Sequence, residues 1–391
     1  MMIKRWGAAS LILLLLTGCF PSMPEEEEQV EEDESVDEQE QVVEVVPQII
    51  TPDNYYQSVL YDGSYKHGES RGFGNSVVYN RLDLDQLEMG LTRIAQDHFD
   101  PENYFFREGQ FIKRNQLNNW LMRYDEEANP DGLNPALGGG GDMRAREEDQ
   151  PRYLSHILEH NYLVEDSNGE LNLGGIVIGL SMNSVYNFRV EDEQGRYNFY
   201  SLPLEEEAIE KEADRIAKEI LNRLRSMEEG AFQEIPILFA VFREQPRESV
   251  IPGQFIAKAI ADPKGDLDRF QRLNERYFLF PSSEANQEAR NEADQFQRFK
   301  DDIQDFFDTY LGVVGKGRYL DNQIQELSIE IPLRFQGKAE IVALSQYVAS
   351  QLQQRFQGHY KVSVEITSVS GNTESIVVQN PDEEPFIHVL N

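Results

Sequence analysis

Gly175-Ile176-Val177-Ile178-Gly179-Leu180 is an unbroken apolar run of strand length, rich in β-branched residues and punctuated by glycine. That combination predicts a strand buried on both faces. Working outward, Tyr186 to Tyr200 predicts a hairpin turning at Glu193-Gln194-Gly195. A helix is expected from Glu205 to Met227, because Ile209, Ala213, Ile216, Ile220 and Leu224 fall on one face. A second buried strand, Ile235 to Phe242, follows. The order strand, helix, strand then recurs. Leu327, Ile329, Ile331, Leu333 and Phe335 alternate as a half-buried strand. Lys338 to Phe356 carries Ile341, Leu344, Val348 and Leu352 on one helical stripe, and Tyr360, Val362, Val364 and Ile366 alternate again. The expected fold is α+β, with two lobes of mixed or antiparallel sheet covered by helices. The lobes are placed at 51–283 and 284–391, and a long polar helix from Glu284 to Tyr310, with sparse apolar positions such as Phe299 and Phe307, is expected to join them.

Three more helices are expected upstream. Asp83 reads as the cap of the first, with Gln86 in the capping-box position and Leu84, Leu87, Leu91 and Ile94 at helical spacing. The second covers Lys113 to Tyr124 and the third Arg152 to Leu163. Between them Asn129 to Asp149 reads as a loop, and Gly138-Gly139-Gly140-Gly141 gives it a flexible hinge. No GK[ST] or GxGxxG frame surrounds those glycines, so they are not read as a phosphate loop. Phe386, His388 and Leu390 alternate as a last strand.

The first 50 residues are a different material. Lys4 and Arg5 precede an apolar run that includes Leu11 to Leu16. At roughly 11 residues the run is about 16 Å long as a helix, too short for a hydrocarbon core of about 30 Å. It fits a secretory signal instead. Leu16-Thr17-Gly18-Cys19 resembles the bacterial lipobox at all four positions. Cleavage between Gly18 and Cys19 would leave the Cys19 thiol to carry a diacylglyceryl group, and two acyl chains anchor stably. Residues 1–18 are thus assigned to the signal and 19–50 to a tether. From Glu25 to Glu44 the tether holds twelve carboxylates and no Lys or Arg, so it is expected to stay extended.

Composition narrows the function. The chain has 391 residues and a formal charge of −34, so its field repels nucleic acid and anionic lipid headgroups, and neither a nucleic-acid partner nor a phosphate-binding role is expected. Cys19 is the only cysteine. No internal disulfide and no cysteine-based zinc site can form. No cofactor is expected, and neither G-x-S-x-G nor S-x-x-K occurs.

Two constellations remain. His156-Ile157-Leu158-Glu159-His160 has the H-x-x-E-H pattern of inverzincins. On a helix the two histidines would share a face and hold zinc, with Glu159 as the base of a hydrolase. The competing reading is an amphipathic helix whose Leu154, Ile157 and Leu158 face the core. The second constellation is Tyr55, Tyr56, Tyr61 and Tyr65, beside Asp53 and Asn54. Such a surface stacks on and hydrogen-bonds to a peptide or cell-wall glycan, or else packs an N-terminal segment onto the domain.

Further blocks carry a family resemblance. They are Gly90-Leu91-Thr92-Arg93-Ile94-Ala95-Gln96-Asp97-His98-Phe99, Tyr104-Phe105-Phe106-Arg107-Glu108-Gly109-Gln110, and Gly174 through Tyr186. With the lipobox and the acidic tether, they resemble the CamS-type sex pheromone lipoproteins of Gram-positive bacteria. The resemblance implies a lipid-anchored protein on the outer face of the cytoplasmic membrane. It also implies that the end of the cut signal is trimmed to a released hydrophobic peptide. The corresponding stretch here is Ile12-Leu13-Leu14-Leu15-Leu16-Thr17-Gly18. The resemblance lends the exported domain no chemistry, so a non-enzymatic binding or scaffolding module at the envelope is expected, with the zinc hydrolase as the alternative.

Overall fold

Parallel strand pairs closed by a helix organise both sheets. The computed structural model describes residues 43–47, 54–69, 83–227, 232–306, 311–334, 337–356 and 359–390. The elements start with β1 (Val43–Val45), β2 (Gln57–Tyr61), β3 (Ser64–Tyr65), α1 (Leu84–Ala95), β4 (Phe105–Glu108), α2 (Arg114–Leu121) and α3 (Met143–Asp149). Then come β5 (Leu154–Glu165), β6 (Leu171–Met182), β7 (Val185–Glu191), β8 (Tyr197–Pro203), α4 (Glu206–Ser226), β9 (Ile237–Arg243), β10 (Gln254–Ala261) and β11 (Gln271–Arg272). The rest are β12 (Glu275–Phe280), α5 (Ser283–Glu288), α6 (Arg290–Gln304), β13 (Val314–Leu320), β14 (Gln323–Leu333), α7 (Lys338–Arg355), β15 (Lys361–Ser368), β16 (Thr373–Gln379) and β17 (Phe386–Val389).

The first sheet runs β1-β2-β4-β5-β6-β9-β10-β11, with β3 beside β2. β6 and β9 are parallel, with Ile176 opposite Ile237. A parallel pair needs a crossover, and α4 supplies it. The β7–β8 hairpin forms its own ladder inside that crossover. The second sheet runs β12-β13-β14-β15-β16-β17. There β14 and β15 are parallel around α7, with Leu327 opposite Val362. Strand, helix, parallel strand therefore occurs in both sheets, and the fold is mixed α+β.

The apolar run of β6 is continuous because both of its faces are covered. Ile176, Ile178 and Leu180 pack with Ile209, Ile216 and Ile220 of α4. On the other face Val177 packs with Leu87, Leu91 and Ala95 of α1. Gly179 lies directly under that helix: an added Cβ would sit 2.6 Å from Leu91 Cδ1, so the bare backbone lets α1 seat. The second sheet is covered on one face, where Phe296, Phe299, Ile341, Leu344 and Val348 meet Leu327, Ile329, Val362 and Val364. Its other face carries the alternate residues Glu326, Ser328, Lys361 and Ser363, which are only half-buried. That difference is why β14 and β15 alternate and β6 does not.

Several expectations change. Arg152 to Leu163 is not a helix: Leu154–Glu165 is a strand in the middle of the first sheet, and ten of its twelve residues are buried. Burial on both faces removes the period-2 signal and leaves Leu154, Ile157 and Leu158 looking helical. The polar helix from Glu284 breaks at Ala289 into α5 and α6, and α6 lies on the second sheet as part of its core. Asp83 makes no side-chain cap; its Oδ2 accepts from the Gly253 N–H at 2.9 Å instead. The stretch read as a loop up to Asp149 contains α3, whose cap Asp142 accepts from the Ala145 N–H. Arg146 Nε donates to the Gly138 carbonyl at 2.7 Å, which ties the glycine run to that helix. The signal segment, Cys19 and the tether at 19–42 and 48–50, with Asp53, Phe307, Tyr310 and Phe335, lie outside the described residues; Val43–Val45, within the tether span, pairs with β2.

Candidate functional site

On strand β5 successive side chains point to opposite faces. His156 and His160 therefore share one face, about 13 Å apart along the strand, and Glu159 faces the other way. The helical turn that brings two histidines onto one metal is absent, which corrects the structural premise of the zinc reading. Glu159 has another task. Its carboxylate is buried and accepts the N–H groups of Gln110 at 3.1 Å, Phe111 at 3.2 Å and Ile112 at 2.7 Å, and the Asn161 amide at 2.6 Å. It thereby fixes the turn that leads from β4 into α2. Gly109 is pressed so close that a Cβ there would lie 2.4 Å from Glu159 Cβ. Burial pushes the Glu159 carboxyl above the usual carboxylate range, against the pull of those donors.

The histidines are buried. His156 and His160 are almost fully buried, and neither ring makes a hydrogen bond among the described residues. The His160 ring meets Phe106 edge-on at 4.9 Å. Burial lowers His156 to about 4 and His160 to about 3, so both are neutral imidazoles near pH 7. Close in register to His156, Ser181 donates to the buried Glu244 carboxylate at 2.7 Å. Burial pushes Glu244 up to about 7.

The four tyrosines are placed differently from one another. Tyr56 is buried against Tyr162 and donates to the Phe99 carbonyl. The Tyr61 hydroxyl accepts from Arg107, whose guanidinium also reaches Asn161 Oδ1 at 3.2 Å. Tyr65 donates to Glu108 at 2.8 Å. Three of the four thus hold the N-terminal hairpin on the domain. Tyr55 is 49% exposed and lines a cleft.

That cleft, of about 380 Å³, opens between α1 and the uncovered face of the second sheet. From α1 come Gln86, Met89 and Arg93, with Gln96 at its C-terminal cap, all spaced on one helical face. From the sheet come Lys316 and Arg318 of β13, Glu326 and Ser328 of β14, and Lys361 of β15. Arg318 and Lys361 stand on either side of Glu326 in the ladder, and Lys316 stands opposite Ser328. The Tyr277 hydroxyl donates to Gln86 Oε1 at 3.2 Å and pins the helix to the sheet. Four cations here face one carboxylate. A larger hollow of about 900 Å³ beside α6 sets Glu292 and Asp294 against Arg298 and Arg355, and has no such imbalance. The cleft cations escape a reading of the sequence because they lie at positions 93, 316, 318 and 361. The one local signal is the alternating pair Lys316-Gly317-Arg318 in an acidic chain.

The sequence model of the family described as CamS sex pheromone cAM373 precursor matches residues 65–385. No curated protein matches the chain. The crystal structure of a sex pheromone precursor from Lactobacillus salivarius subsp. salivarius UCC118 superposes with a TM-score of 0.80 at 29% identity, covering 90% of this chain and 99% of that one. The C-terminal domain of the sex pheromone staph-cAM373 precursor from Staphylococcus aureus is similar with a TM-score of 0.68 at 28% identity, covering 78% of this chain and 96% of that one. No helix among the described residues is long and apolar enough to cross a membrane.

Proposed function

Because this chain belongs to the CamS sex pheromone cAM373 precursor family, we propose that it is made as a lipoprotein with two products. One is the hydrophobic peptide Ile12 to Gly18, trimmed from the cut signal. The other is the exported domain, held on the outer face of the cytoplasmic membrane by diacylglyceryl-Cys19. The domain acts there as a non-enzymatic binding module for a peptide or cell-wall glycan. The observation that carries the binding role is the cleft between α1 and the second sheet. Its walls offer donors, cations and the exposed Tyr55 ring, which together suit recognition.

The anchor is tested by Cys19→Ala. The variant is expected to appear in the culture supernatant, or to stay as uncleaved precursor, in place of the lipidated membrane form. Incorporation of labelled palmitate should vanish with it, and retained label would reject the acylation site. The binding role is tested by methyl and amide NMR. Peptidoglycan fragments and short peptides are expected to shift Met89 and the amides of Gln86 and Gln96. Silence at those positions with every fragment would reject the cleft as the ligand site.

A further inference from the structure

The ligand class follows from the charge of the cleft, and this step rests on the cleft being the binding site. Over the whole chain 70 carboxylates oppose 36 Lys and Arg. In the cleft that ratio is inverted. Glu326 is flanked by Arg318 and Lys361, and Arg318 also meets Glu275 at 3.4 Å. Arg93 and Lys316 remain, one on each wall, and among the described residues neither has a carboxylate within ion-pair distance. Two positive groups facing each other across a polar gap call for a compact anion. The remaining walls combine amide and hydroxyl groups, from Gln86, Gln96, Gln325, Thr92 and Ser328, with the apolar surface of Tyr55, Met89 and Tyr277. Such walls suit both the hydroxyls and the carbon frame of a polyol or sugar.

We infer that the cleft binds a phosphate ester of a polyol or sugar, with the phosphate between Arg93 and Lys316 and the hydroxyls against the glutamines and Ser328. The guanidinium supplies a planar fork to two phosphate oxygens and the ammonium a point charge. The volume, about 380 Å³, is at the small end of ligand pockets and suits one such unit. The charge of −34 keeps long polyanions such as nucleic acid away, while a small ester enters the local positive field.

The test is calorimetry on the full chain in nonionic detergent, with glycerol 3-phosphate as the probe and glycerol as the neutral control. Glycerol 3-phosphate is expected to bind and glycerol not to. Lys316→Gln should weaken binding at least about tenfold and Arg93→Gln with Lys316→Gln should abolish it, while the melting temperature stays near that of the parent. Affinity should fall as salt rises from 50 to 200 mM, on the order of severalfold. Binding that is absent in the parent, or unchanged in the double variant, overturns the inference. If neutral glycan fragments shift Met89 while glycerol 3-phosphate does not bind, only the ligand class fails. If neither ligand does anything, the binding-module reading fails as well. A second arm uses the chain in phosphatidylcholine vesicles with and without phosphatidylglycerol. Loss of glycerol 3-phosphate binding in the anionic vesicles assigns the ester to a lipid headgroup, and unchanged binding assigns it to a soluble or polymer-borne ester.

Discussion

Glu159→Ala is expected to lower unfolding stability by about 3–5 kcal/mol, because it strips the acceptor from several buried donors at once. The Gln110, Phe111 and Ile112 N–H groups and the Asn161 amide all end on this one carboxyl. Water cannot replace it readily, since Glu159 is 1% exposed and Gly109 fills the space beside it. Glu159→Gln keeps one oxygen and turns a donor toward donors, so it should fall between Ala and the parent. Urea unfolding with an unchanged m-value is the measurement, and a loss below about 1 kcal/mol would reject the role. A catalytic base on zinc would behave otherwise: its removal would spare stability, and the parent would carry stoichiometric metal by elemental analysis, lost in His156→Ala.

Acidification from pH 8 to pH 5 is expected to cost the parent about 4 kcal/mol more stability than a variant carrying His156→Leu and His160→Leu. In the unfolded chain each imidazole titrates near 6.5, and in the folded one near 4 and 3. The unfolded state thus binds the extra protons, so this stability is present above pH 6.5 and is lost as the pH falls toward the folded values. By pH 5 the loss is about 2 kcal/mol for each histidine. Glu244 runs the other way. Its carboxyl titrates near 7 when folded against 4.5 for the free group. The folded state then binds the extra proton, and its contribution is present below pH 4.5 and is lost as the pH rises through 7. That returns about 2–3 kcal/mol on the same acidification. Glu159, pushed in the same direction by burial, adds to it. The carboxylates act alike in both proteins, so the difference in slope between parent and variant belongs to the histidines. Chemical denaturation at pH 5 and pH 8 reads that difference, and equal slopes in the two proteins would show that the rings are not buried as neutral groups.

The local patterns that survive burial were legible in the residues. α4 and α7 each bury one stripe, so their 3.6-residue periods stand out, and the runs of β6, β9, β14 and β15 fall where the structure has strands. The family blocks at 90–110 and 174–186 were equally readable, because each is contiguous. The lipobox and the tether rest on composition and order along the chain and need no fold.

Tertiary structure alone decided the rest. Strand β5 is covered on both faces, so nothing in its polarity separates strand from helix, and the pairing with β4 and β6 settles it. That pairing turns H-x-x-E-H from a shared metal face into two buried rings without a hydrogen bond among the described residues and one structural carboxylate. Tyr55 is divided from its three neighbours by packing and not by residue type. The cleft is the extreme case. Arg93 and Lys316 are more than two hundred positions apart, and they face each other only because Tyr277 and the chain around Glu275 seat α1 against the second sheet. A period along the sequence reports which face of one element is buried; it carries no record of which two exposed faces will be brought together.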